Sequence, residues 1–234
     1  NLPRRIYLLL CLILPGFAAC RHHVSNPIFE TLGQSVTGID FSNTLHPDNT
    51  FNVFDYMYYY NGGGVGAGDF NNDGRIDLFF AANQENNRLY LNTGKMHFKD
   101  VTGAAHIPTN SGWSTGVSVV DINNDGLLDI YICKVGQLTG LHTTRNQLLV
   151  CQGIGPDGTP TYKDEAAQYG LDFSGFSTQA AFFDYDGDGD LDMYLLNHSI
   201  HQNGTFGPRA QKLADTSPFS GDHLFRNDGN GHFT

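Results

Sequence analysis

The chain has 234 residues with 13 basic against 24 acidic side chains, a formal net charge of −11. Acidity of that size excludes a nucleic-acid partner held by a basic face, while 40% hydrophobic residues are enough for the core of one large domain or two small ones. With 28 glycines, 12% aromatics and no long amphipathic helical period, the composition predicts many short strands joined by tight turns.

Residues 1–19 have the layout of a signal peptide. Arg4 and Arg5 form a positive start, 6–14 an apolar stretch, and Pro15-Gly16 a break before Phe17-Ala18-Ala19-Cys20. The apolar stretch is shorter than the roughly 20 residues that a membrane helix needs. Ala18 and Ala19 before Cys20 resemble the lipobox of bacterial lipoproteins, with Phe17 where leucine is usual. That resemblance implies lipidation at Cys20, a polar tether over 20–27, and membrane attachment only through this anchor. The alternative is an ordinary signal peptide with an incidental Cys20. Cleavage removes two arginines and no acids, leaving 11 basic residues against 24 acidic ones.

From residue 28 onward the chain is repetitive. A nine-residue stretch occurs as Asp69 to Asp77, Asp121 to Asp129 and Asp184 to Asp192, with side-chain oxygens at positions 1, 3, 5 and 9 and glycine at 6. A hard cation wanting six to eight oxygens needs clustered carboxylates on a tightly turned backbone, so each stretch is a candidate Ca²⁺ loop. The ligand sets are Asp69, Asn71, Asp73 and Asp77; Asp121, Asn123, Asp125 and Asp129; and Asp184, Asp186, Asp188 and Asp192. The carbonyls of Arg75, Leu127 and Asp190 complete them, for about three ions. An EF-hand is excluded because its twelfth position, a glutamate, is Phe80, Ile132 or Leu195 here, inside apolar runs that read as strands. A solvated acidic turn that binds nothing is the plainer alternative, and three copies at identical offsets argue against it.

Strands are predicted around each loop. The first group covers 64–69, 77–82, 88–92 and 97–102, with Asn92-Thr93-Gly94 as a hairpin turn. The second covers 115–121, 129–133, 147–151 and 161–165, and the third 178–184, 192–196, 223–227 and 232–234. Phe29-Glu30 followed by Gly38-Ile39 echoes Phe98-Lys99-Asp100 and Tyr162-Lys163-Asp164 with their following turns, so a further outer strand is expected near residue 29. Loop spacings of 52 and 63 residues exceed the roughly 40 to 50 of most propeller blades.

Gly66-Ala67-Gly68-Asp69-Phe70-Asn71-Asn72-Asp73-Gly74 and its two partners resemble FG-GAP/VCBS repeats, the units of integrin-α-like β-propellers. The layout from Tyr60-Asn61-Gly62-Gly63-Gly64 to Asp192 is similar to bacterial exported VCBS-repeat proteins of the type associated with ASPIC/UnbV domains. The resemblance implies an all-β fold, an incomplete β-propeller of three four-stranded blades over about 61–102, 113–166 and 176–234. Three blades do not close a ring of four to eight. A chain that begins at Asn1 and stops at Thr234 in mid-pattern is therefore expected to be an arc of a larger propeller.

Other motifs are weaker. Gly112-Trp113-Ser114-Thr115-Gly116 fits the nucleophile elbow of α/β-hydrolases, but a strand and not a helix is predicted after it. Residues 62–68 lack the spacing, helix and lysine of a phosphate loop, and close backbone approach explains their glycines. Tyr56, Tyr58 and Tyr60 alternate on a presumed strand, as core or as a sugar-stacking platform. His198 and His201 have no third partner for a transition metal. Cys133 and Cys151 fall on neighbouring strands, as a disulfide or as two buried thiols.

Two connections, 134–146 and 197–222, lengthen on the face opposite the acidic loops and carry Lys134, Arg145, Arg209 and Lys212 with His142, His198 and His201. The expected function is a calcium-binding propeller of the cell envelope, exported as an outer-membrane or surface lipoprotein, that holds a glycan or an envelope protein on this face. No catalytic residue is assigned. The alternatives are a polysaccharide-active enzyme or accessory subunit and a purely structural envelope protein.

Overall fold

The structure, a computed structural model, describes residues 28–109, 112–136, 144–199, 219 and 221–234. The signal peptide, Cys20 and the tether lie outside the described residues, as do His142, His201, Arg209 and Lys212. Among the described residues no helix is long and apolar enough to cross a membrane.

The chain divides into two compact units, Asn1–Gly33 and Gln34–Thr234. Of the first, residues 28–33 are described; all are exposed and none is in a strand. The outer strand expected near Phe29 is therefore not formed there, since no described strand pairs with it. The echo that suggested it is real one turn later. A short helix, α1 (Gln34–Thr37), ends on Gly38 with φ +74°, and its counterpart α2 (Ala166–Tyr169) ends on Gly170 with φ +75°. Between them the turn after Asp100 ends on His106, also left-handed at φ +57°. Each turn thus closes with a residue in the conformation that stops a helix.

Among the described residues the second unit holds three antiparallel sheets. The first is β1 (Val65–Gly68), β2 (Asp77–Phe80), β3 (Arg88–Gly94) and β4 (His97–Asp100), in that order. The second is β5 (Trp113–Val120), β6 (Asp129–Val135), β7 (Gln147–Ile154) and β8 (Pro160–Asp164). The third has β9 (Ser177–Phe183), β10 (Asp192–Asn197) and β11 (His223–Phe225), followed by a single bridge between Asn227 and Phe233. Every sheet is a simple meander, and every β1–β2-type connection is an acidic loop. The β3–β4 hairpin turns at Lys95-Met96, not at Asn92-Thr93-Gly94. Both residues have positive φ, 52° and 60°, the geometry that matches strand twist in a two-residue turn, and Gly94 pairs with His97.

Stacking of the sheets explains their burial patterns. Phe79, Leu89 and Leu91 of the first sheet pack against Val117, Ile130, Ile132, Leu149 and Cys151 of the second. The other face of the second sheet, with Tyr131, Cys133, Leu148 and Val150, packs on Ala180, Met193 and Leu195 of the third. All seven residues of β6 are buried because both faces are covered, whereas β10 alternates along most of its length. The same stacking decides the cysteines. Side chains two apart share a face of a strand, and Cys133 belongs to one face of the sheet while Cys151 belongs to the other, so both are free and buried.

The seam between sheets needs glycine. A Cβ on Gly66 would lie 2.8 Å from Val117 Cγ1, and one on Gly116 would run into the carbonyl of Thr178. The glycine-rich run thus lets β1 lie against β5, and Gly116 lets β5 lie against β9. At the end of the sheets away from the acidic loops, Phe51, Tyr56 and Tyr59 cluster with Trp113, Val135 and Phe176. Residues 57–60 form turns and Tyr56 is in no strand, against the presumed strand, and the spacing of Tyr56 and Tyr59 brings both into the cluster while Tyr60 points outward at 65% exposure.

Candidate metal centre

The three acidic loops fold alike because the same side chains organise the same backbone. At position 1, Asp69 accepts the N–H groups of Asp73 at 3.0 Å and Gly74 at 2.7 Å. Asp121 accepts those of Asp125 at 3.0 Å and Gly126 at 2.9 Å. Asp184 accepts those of Asp188 at 3.2 Å and Gly189 at 3.1 Å. The glycines at position 6 have φ between +83° and +98°, which explains their identity. Position 4 is left-handed too, as Asn72, Asn124 and Gly187, residues that tolerate this region. Sequence reasoning left that position unassigned, although its Asn/Asn/Gly composition carried the signal.

Position 9 differs in kind from the others. Asp77, Asp129 and Asp192 are fully buried. In each, Oδ2 accepts the N–H of position 2, at 2.9 Å from Phe70, 2.9 Å from Ile122 and 3.0 Å from Tyr185. The other oxygen accepts an N–H from the third strand or its end, Asn92 at 2.7 Å, Cys151 at 2.8 Å and Asn227 at 2.9 Å. Burial pushes the carboxyls of Asp77 and Asp129 up to about 6, against the pull of these two amides. The ninth aspartate is therefore a brace joining loop to sheet, whatever else it touches.

The remaining oxygens differ among loops. In the third, Asp184, Asp186 and Asp188 are exposed and each offers a carboxylate oxygen within 4.8 Å of the others. Desolvation and then Asp188, Asp192 and Asp184 raise the pKa of Asp186, the mark of like charges held together. In the first loop Asn71 Nδ2 donates to Asp73 at 3.0 Å, and its Oδ1 is buried with no donor among the described residues. An acceptor left in that state fits a cation. Against it, the guanidinium of Arg75 pairs with Asp73 inside the same loop, so this loop already holds one positive charge. The second loop has the amide of Asn123 on Asp125 at 2.9 Å and no internal arginine. Asp190 and Leu127 stand at the seventh position, where their backbone carbonyls were assigned.

A second brace, unforeseen from sequence, closes the opposite end of each sheet. The backbone N–H at the end of the second strand donates to a side-chain oxygen just before the third. The pairs are Ala82 to Asn87 at 2.9 Å, Lys134 to Asn146 at 2.8 Å and Asn197 to Asp222 at 3.0 Å. Lys134, assigned to a cationic ligand face, is 1% exposed and lies in the core. Arg145 remains at the surface in an ion pair with Asp172. Ser114 is buried on β5 with its hydroxyl near Asn87 Oδ1, so the elbow-like motif is strand.

The family model of the FG-GAP-like repeat matches residues 69–132. The match runs from the first acidic loop into β6, one full structural period with the second loop included. The chain is also 28% identical over 140 residues to cartilage acidic protein 1 of Mus musculus, a stretch covering 58% of this chain and 21% of that protein. The chain therefore carries an FG-GAP-like repeat and is distantly similar to that relative, of which the match spans about a fifth. Its three meander sheets are consistent with propeller blades of this repeat type.

Proposed function

We propose that the chain is an arc of a Ca²⁺-stabilised β-propeller, exported and lipid-anchored at Cys20, that serves as a binding or scaffold module of the cell envelope. The observation that carries the reading is the approach of Asp184, Asp186 and Asp188 within 4.8 Å on an exposed loop. The backbone of that loop recurs twice. Three or four carboxylates on one short turn repel one another, and a divalent cation removes that repulsion while supplying the ligand field that the aspartates lack.

Charge ranks the loops. At positions 1, 3, 5 and 9 the third has four carboxylates, the second has three with no competing cation, and the first has three with Arg75 already on Asp73. Affinity for Ca²⁺ falls in that order, with about three ions at saturation. The ions sit between the first and second strands of each blade, so their work is to hold loop and sheet together. A glycan or an envelope protein binds the opposite face, where connections between second and third strands vary in length.

Isothermal titration of Ca²⁺ into chelator-treated full chain, paired with melting curves, tests this. Stepwise uptake and a rise in melting temperature are expected; no heat and an unchanged melt overturn the metal reading.

A further inference from the structure

At the end of the sheets away from the acidic loops lies a cavity of about 390 Å³. Small-molecule sites occupy roughly 300–1,000 Å³. Its wall is drawn from four separate places in the chain, the 56–62 segment, the start of β5, the start of β9 and the end of β10. Tyr56, Tyr58 and Trp113 give it aromatic surface, and Asn61, Thr178 and Asn197 give it amides and a hydroxyl. Among the described residues, none that lines it is Asp, Glu, Lys or Arg.

His198 completes the wall and adds no charge. Its Nδ1 lies 2.9 Å from the carbonyl oxygen of Ser199, so that nitrogen carries the proton, and Nε2 accepts from the Tyr56 hydroxyl at 3.0 Å. Burial among Tyr56, Tyr58 and Phe176 lowers its pKa, which keeps the ring neutral.

Asn197 supplies the independent sign of a ligand. It is 8% exposed, its N–H donates to Asp222 and its Nδ2 donates to Gly221 at 2.8 Å. Its Oδ1 is buried and has no donor among the described residues. A buried acceptor in that state costs free energy until a donor reaches it.

We propose that this cavity is a binding site for an uncharged saccharide, one pyranose ring or the end of a chain. One C–H face of the ring lies on Tyr58, the aromatic residue of the lining that keeps exposed surface, with Tyr56 and Trp113 buried behind it, and a hydroxyl donates to Asn197 Oδ1. Aromatic bodies with polar tips suit a ligand that is apolar on its faces and polar at its rim. The described lining offers no cationic side chain to a carboxylate, which favours neutral sugars over uronates. The proposal deepens the binding-module reading and rests on it, but it does not depend on calcium.

Trp113 is the sole tryptophan of the chain and lines the cavity from the core, so its emission reports on this end of the sheets. Methyl glucoside, methyl galactoside, N-acetylglucosamine and glucuronate are titrated into the full chain, in calcium and in chelator. At least one neutral sugar gives a saturable emission change, with glucuronate at least tenfold weaker. Tyr58→Ala weakens that binding about two- to tenfold, and Thr178→Tyr, which fills the cavity, abolishes it with the melt retained. No saturable change with any of the four overturns the proposal, as does undiminished binding in a natively melting Thr178→Tyr. A failure here leaves the calcium-dependent melt untouched, so the two readings are separable.

Discussion

Asp129 Oδ1 accepts the backbone N–H of Cys151 at 2.8 Å, tying the first residue of β6 to β7 across 22 positions. The other oxygen holds Ile122, so one buried carboxylate fixes the loop entry and the strand pairing together. Asparagine has a single acceptor oxygen and cannot serve both amides. Asp129→Asn is expected to cost about 1–3 kcal/mol, the usual loss when a buried donor is left unsatisfied. For a chain of this size that lowers the melting temperature by several degrees. The measurement is made in chelator, where only the brace contributes. A loss confined to calcium-loaded protein would make the ninth aspartate a ligand alone.

The third loop tests charge from the other side. Asp186→Asn removes one of three converging carboxylates without touching the backbone amides that Asp184 holds. In chelator the variant should be as stable as the parent or more so, because repulsion is relieved. In calcium it should lose part of the ligand-induced rise in melting temperature. Saturation at 100 times Kd contributes about 2.7 kcal/mol, so even a tenfold weaker site gives a resolvable shift. A variant equally destabilised in both buffers would point to a structural role instead.

Lys134 makes stability depend on pH. Its side chain is buried, and desolvation lowers its pKa from 10.5 to about 7. The folded state therefore holds fewer protons than the unfolded state between about pH 7 and pH 10.5. Stability rises with pH across that window, at up to about 1.4 kcal/mol per pH unit. It falls as pH drops toward 7, where the lysine must charge in place. Lys134→Met should flatten the rise, and melting curves from pH 7 to pH 10 would show it. Parallel profiles for parent and variant would mean that Lys134 does not titrate in the fold.

What was legible in the sequence is what repeats with a short period. The acidic offsets and the apolar runs beside them fixed the strand order, because loop chemistry and alternation are both local. Asp77, Asp129 and Asp192 were visible as loop members, but their second bonds reach Asn92, Cys151 and Asn227, which no spacing rule connects. The tyrosines near residue 58 were misplaced because alternation at a period of two looks like a strand. The residues that decide their positions, Trp113 and Phe176, lie far along the chain. Lys134 was read as a surface charge because a lysine before a long connection usually is one. Burial of β6 on both faces, a property of three stacked sheets, put it inside.

Gly116 concerns how those sheets hold together. It lies in β5, where a Cβ would meet the carbonyl oxygen of Thr178 and also approach Gln179. Thr115 beside it donates its hydroxyl to the carbonyl of Ser177 at 2.8 Å, and Ser118 donates to the carbonyl of Ala180. The β5–β9 seam is thus sewn by side-chain hydroxyls on backbone oxygens at a separation that only glycine permits. A methyl group must push the strands apart, at the roughly 1–3 kcal/mol typical of overpacking, and stretch both hydroxyl bonds. Gly116→Ala should lower the melting temperature and speed hydrogen exchange in β9 and β10 while leaving β1 to β4 unchanged, since the first sheet meets β5 from the other side. Uniform acceleration across all three sheets would show that the unit opens only as a whole.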